Sequence, residues 1–163
     1  MFQHREPHLF SLEKVLKMIL TISEVFERFE KAETDADRIN VLRANNTKTL
    51  RKVLACAFNP NIEFTTEGRW PNWKPSDAPT GMTYGDLHRE FDRMYLFIKN
   101  HPKRPPTLTE KRSDQLLIQM LEMMPQGDAI VTLNMMGKNL KVKGLTKELA
   151  EAAFGPNLLN ESI

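Results

Sequence analysis

Apolar residues recur along this chain at helical spacing. Leu12, Val15, Leu16, Ile19, Ile22, Val25, Phe26 and Phe29 follow the i, i+3, i+4, i+7 rule, so they form one stripe of a helix. Ser11 is placed to cap that helix, and Glu13, Lys14, Lys17, Glu24, Glu27 and Arg28 fall mostly on its other side. Thr34 starts a short helix with Ile39 and Leu42 inward, and Asp35 and Asp37 sit in its first turn, where the helix dipole favours negative charge. Asn45-Asn46 ends it. Thr47 caps a third helix bearing Leu50, Val53, Leu54, Ala57 and Phe58.

Asn59-Pro60 breaks the pattern. Pro60, Pro71, Pro75 and Pro79 deny long helix to the stretch that follows, because proline lacks the amide donor and clashes with the preceding turn. The chain therefore reads as an irregular Pro/Trp loop over 59–82. It holds a possible short strand at Ile62-Glu63-Phe64-Thr65 and two amphipathic anchors, Trp70 and Trp73. The helical period returns after Thr83, with Leu87, Phe91, Met94, Tyr95 and Ile98 on one face, and stops at Asn100-His101-Pro102. Lys103-Arg104-Pro105-Pro106 is a stiff basic linker. Thr109 caps a helix with Leu116, Leu117, Met120, Leu121 and Met124 inward. Pro125-Gln126-Gly127 reads as a turn before a helix carrying Ala129, Ile130, Leu133 and Met136. A basic loop, Lys138 to Gly144, leads to Thr146, which caps a last helix closed by Gly155-Pro156. The pattern predicts an all-α, single-domain protein of about seven helices, residues 18–158. Residues 1–17 are an N-terminal extension that begins the first helix, with Met18 as an alternative start, and 159–163 are a C-terminal tail.

Composition narrows the chemistry. A chain of 163 residues can bury a core without staples, and 40% hydrophobic with 27% charged residues is ordinary for a globular protein. One cysteine, Cys56, excludes an internal disulfide and points to a reducing compartment. It sits between Ala55 and Ala57 and reads as a small buried side chain rather than a nucleophile. No apolar run is long enough for a bilayer, and the N-terminus lacks the features of a secretory signal. Glycine-rich phosphate loops and paired histidines at metal-ligand spacing are missing, and His4 and His8 are separated by Pro7. Asp86 and Glu90 could bring two carboxylates together, but Arg89 and Arg93 at the same spacing make a solvated, neutralised face the simpler reading. The expectation is therefore a protein with no catalytic residues, metal or cofactor.

The net charge of +2 leaves any polyanion site to local clustering. One basic group is Lys99, Lys103, Arg104, Lys111 and Arg112. Another is Lys138, Lys141, Lys143 and Lys147, within an acid-free run from Ala129 to Lys147. A weaker third is Arg43, Lys48, Arg51 and Lys52. Such loops can neutralise phosphates, and the helix start at Thr146 offers backbone N–H groups to an anion. Lysine is equally common on any solvated surface.

Two resemblances attach to these segments. Met18-Ile19-Leu20-Thr21-Ile22, Leu50-Arg51-Lys52-Val53-Leu54, Ile62-Glu63-Phe64 and the closing order of helix, basic Gly-containing loop, short helix and Ala153-Phe154-Gly155-Pro156 resemble the N-terminal helical DNA-binding domain of phage-type ATP-dependent DNA ligases. Leu50 to Leu54 with Ala57-Phe58-Asn59-Pro60, Tyr95-Leu96-Phe97-Ile98-Lys99 and Lys143-Gly144-Leu145-Thr146 resemble still more closely a family of small uncharacterised proteins of tailed phages. The resemblance implies a ligase DNA-binding-domain-like fold. It does not imply ligation, since the Lys-x-Asp-Gly motif that takes AMP is absent. It implies a non-enzymatic phage accessory protein in the cytoplasm of an infected host cell, gripping duplex DNA without sequence readout through Lys103, Arg104, Lys111, Arg112, Lys138, Lys141, Lys143, Thr146 and Lys147. The alternative is a protein-interaction adaptor that docks Trp70 and Trp73 on a phage or host replication, transcription or virion protein.

Overall fold

The computed structural model describes residues 19–79 and 81–163. Among them run seven α-helices: α1 (Ile22–Lys31), α2 (Asp35–Ala44), α3 (Lys48–Phe58), α4 (Leu87–Glu90), α5 (Glu110–Met123), α6 (Gln126–Met136) and α7 (Lys147–Phe154). Two 3-10 helices join them, Phe91–Phe97 directly after α4 and Leu158–Asn160 after α7. All-α, single-domain architecture is what the periodicity predicts.

Threonine sets most of the helix starts. Thr34, Thr47, Thr109 and Thr146 each lie in extended conformation and accept the backbone N–H of the residue three on, at Asp37, Leu50, Arg112 and Leu149. Each cap satisfies one donor that the helix leaves orphaned, worth about 1 kcal/mol. The first helix departs from the expected start. Ile19 and Leu20 are not helical, and Thr21 rather than Ser11 caps α1, closing a capping box in which Glu24 returns a bond to the Thr21 N–H. Ile19, placed on the predicted apolar stripe, is 63% exposed. Ser11, Leu12, Val15 and Leu16, together with His4 and His8, lie outside the described residues.

The helices enclose one core, in which Ile22, Phe29, Leu42, Leu50, Leu54, Met94, Phe97 and Leu121 are fully buried. α2 packs on α1 and α7, while α6 packs on α1, α3 and α5. The expected short strand survives only as a bridge: Phe64 pairs antiparallel with Ile98, through Thr65 N–H to Phe97 O (2.8 Å) and Lys99 N–H to Glu63 O (2.8 Å). That pairing takes Ile98 out of the helix predicted after Thr83.

One carboxylate ties three helix starts together. Asp128, fully buried in the first turn of α6, accepts the Ser23 N–H of α1 at 3.1 Å and the Leu87 N–H of α4 at 3.1 Å. Burial holds its carboxyl above the usual range, and the two N–H donors pull the other way. Gly127 makes the approach possible, since a Cβ there would meet Ser23 Oγ at 2.6 Å. Of residues 125–127, read as a turn, Gln126 and Gly127 already lie in this helix and Pro125 is its N-cap residue.

Candidate nucleic-acid interface

The predicted basic residues do not share one face. Lys138, just past the Gly137 cap of α6, has a left-handed backbone (φ +63) and turns inward. Its ammonium donates to the carbonyl oxygens of Cys56, Asn59 (2.7 Å) and Ile62 (2.7 Å), so it closes the carboxyl end of α3. All three donors of the lysine are engaged, and burial lowers its pKa. Lys138 therefore acts as a structural cation whose three donors are already engaged within the fold. The acid-free run predicts a basic surface there because nothing near Lys138 in sequence shows that α3 ends above it.

The rest of that turn is open. Lys141 (φ +56) and Lys143 are exposed and form no ion pair among the described residues. Glu30 lies beside the turn, but it accepts the Lys143 backbone N–H (2.9 Å) and leaves the ammonium free. Thr146 spends its hydroxyl on the Leu149 N–H (3.1 Å), and Lys147 faces Glu151 at 3.8 Å.

The other predicted group divides. Lys111 and Arg112 are exposed on the first turn of α5, where Arg112 reaches Gln115 (3.3 Å). Arg104 donates to Leu96 O (2.9 Å) and borders a hollow of about 330 Å³ in which Arg69 and Lys99 face Glu67, Glu110 and Asp114. Charge there is balanced: Arg69 pairs with Glu110 (3.2 Å) and Lys99 with Glu67 (2.7 Å). Lys103 instead joins Lys48 and Lys52 of α3 around a separate hollow of about 290 Å³. The linear signal for that convergence was the third, weaker basic group.

Other candidates resolve into structural roles. Asp86 caps α4 through the Arg89 N–H (3.0 Å), and Glu90 pairs with Arg93, so the two carboxylates do not form an acid/base pair. His88 contacts Leu20 O (2.9 Å) and His101 contacts Ile163 O (2.8 Å). Cys56 is buried and its thiol is pushed up to about 12, a poor nucleophile at neutral pH. Trp73 packs on the core, while Trp70 is 52% exposed, as are Met82 (74%) and Tyr84 (89%) on the same irregular segment. No helix among the described residues is long and apolar enough to cross a membrane. No group of histidine, cysteine and carboxylate side chains among them is assembled to hold a metal ion.

Compared with known proteins, residues 25–142 match a family model described as a family of unknown function (DUF6433). No curated protein matches the chain, and neither does any solved structure. The matched stretch includes Lys48, Lys52, Lys103 and Lys141 and ends before Lys143 and α7.

Proposed function

For this chain, which belongs to the DUF6433 family, we propose a non-catalytic role: it binds duplex DNA through the phosphate backbone without reading base sequence. The observation that carries the reading is the turn between α6 and α7. Lys138 anchors one end of it, the Thr146 cap fixes the other, and Lys141 and Lys143 extend from between them into solvent. Ammonium groups held on a rigid turn neutralise phosphates with little ordering cost, and each contact releases condensed counterions. Lys111, Arg112 and Lys103 are the further exposed cations, while Lys138 drops out of the contact set and Arg104 and Lys147 contribute less. The ligase DNA-binding-domain-like fold, the phage origin and the setting in the cytoplasm of an infected host cell, all implied by the resemblance, belong to the same proposal.

Anisotropy of a labelled duplex, measured from 50 to 200 mM salt, tests it. The logarithm of the binding constant falls linearly with that of the salt concentration, and Lys141→Glu with Lys143→Glu reduces the slope by about 2. Binding that is absent at low salt, or insensitive to salt, overturns it.

A second reading, an adaptor for a phage or host protein, is favoured by the exposure of Trp70, Met82 and Tyr84 on one segment. Trp73, partly buried against the core, supports it less than Trp70 does. If the duplex experiment fails and Trp70→Ala abolishes capture of a protein partner, this reading replaces the first.

A further inference from the structure

The hollow lined by Lys48, Lys52 and Lys103 shares only Lys103 with the backbone contacts proposed above, and its chemistry differs. Two observations set it apart. The first is charge. Three lysines face one acidic side chain, Asp92; Ile163, the last residue of the sequence, also lines the hollow and its oxygen meets His101 Nε2 at 2.8 Å, while Glu161, whose field also reaches Lys52, is engaged by Arg51 at 3.6 Å. The second is the cost of the arrangement. Lys48 and Lys52 are like charges at i, i+4 in the first turns of α3, against the positive end of the helix dipole. The first turns of α1, α2, α5, α6 and α7 all carry an acid, Glu24, Asp35, Glu110, Asp128 and Glu148, and that of α3 carries none. Local rules of this kind are broken where function requires it.

We propose that this hollow is a binding site for a nucleotide carrying a terminal phosphate monoester, with the phosphate held among the ammonium groups of Lys48, Lys52 and Lys103. A monoester carries close to two negative charges at neutral pH, against one for a backbone diester, and so matches a cluster of three lysines better. The volume, about 290 Å³, sits near the lower end of small-molecule sites at roughly 300 Å³ and exceeds what a bare phosphate fills. Tyr95, half-buried, lines the hollow and is an aromatic ring of the kind that bases stack on. Its ring lies 5.6 Å from that of His101, tilted by 39°. Lys52 is held below its ordinary pKa by burial and then by the neighbouring Lys48, and an arriving dianion relieves that repulsion.

The ligand chemistry has two sources, a free nucleoside 5′-phosphate or the 5′-phosphate of a DNA end, and the test separates them. Calorimetric titration of the full chain with AMP and with adenosine is the first arm. The second compares duplexes of equal length with 5′-phosphate or 5′-hydroxyl ends. The expected result is at least tenfold tighter binding of the phosphorylated species in one arm or both. The preference in the second arm identifies a DNA end; a preference in the first alone identifies a free nucleotide. Lys52→Ala with Lys103→Ala removes the preference, while Lys74→Ala, on the irregular segment and outside the lining of the hollow, keeps it. The thermal midpoint of each variant shows whether it is folded. Equal binding of phosphorylated and unphosphorylated species in both arms overturns the proposal, as does a preference that survives in a folded double variant. Salt-dependent binding of duplexes with no preference for the phosphorylated end, and none for AMP, leaves the backbone reading standing and removes this one.

Discussion

Lys138 shows how one side chain can carry a structural load that its sequence neighbours do not announce. Its ammonium faces three carbonyl oxygens at and beyond the end of α3, of which Asn59 O also accepts the Ile62 N–H at 3.2 Å. Lys138→Met keeps the apolar stem and removes the donors. It should lower the stability measured by urea unfolding by about 1–3 kcal/mol, the cost of leaving buried acceptors unsatisfied. A change below a few tenths of a kcal/mol would mean that water serves these carbonyls equally well. The same residue marks where sequence reading stops. A lysine just past a helix end, in a run free of acids, has the signature of a surface cation. Its true partners lie on a segment far upstream, and the left-handed backbone does not by itself select them, since Lys141 shares it. Lys141, two residues beyond the next asparagine, has the same sequence character and does face solvent.

At the level of the element, the legible features were those with local causes. A threonine followed by helical periodicity marks the starts at Thr34, Thr47, Thr109 and Thr146, because a cap and its helix are neighbours in sequence. The helix after Thr83 was legible only in part. Leu87–Glu90 is α-helical, but Phe91–Phe97 tightens to 3-10 before Ile98 pairs with Phe64, a partner the local pattern cannot supply. The Asp128 junction was not legible at all, since an acid in a helix first turn usually faces water. Its pH behaviour can be worked out. The native carboxyl has a raised pKa, so as pH falls the native state takes up a proton before the unfolded chain does. The contribution of this group to stability therefore increases as pH is lowered from the raised value toward the ordinary carboxylate pKa, and then levels off. Asp128→Asn cannot take up that proton and turns one acceptor into a donor facing an N–H. The variant should be less stable at neutral pH by about 1–3 kcal/mol, and its deficit against the natural chain should widen across that acidic window in urea titrations at stepped pH. A deficit that is constant with pH would show that the carboxyl titrates normally.

For the whole molecule, fold class was more legible than function. Helical periodicity repeated through the chain is enough to specify an all-α domain, and the core positions at Leu50, Leu54, Leu117 and Leu121 follow from it. Where charges end up depends on how the helices pack. Packing separates the predicted cations into the α6–α7 turn, a charge-balanced hollow at Arg104 and the lysine hollow at Lys103. With a net charge of only +2, long-range attraction is weak, and any anion must be held by these local arrangements.

The way α1, α4 and α6 share a single carboxylate also bears on how the molecule comes apart. Loosening any one of these helix beginnings strands the charge that the other two hold in place, so none of them can fray alone at little cost. The amide protons of Ser23 and Leu87, distant in the chain, then belong to one opening unit and trade with deuterium from solvent together, among the last to do so.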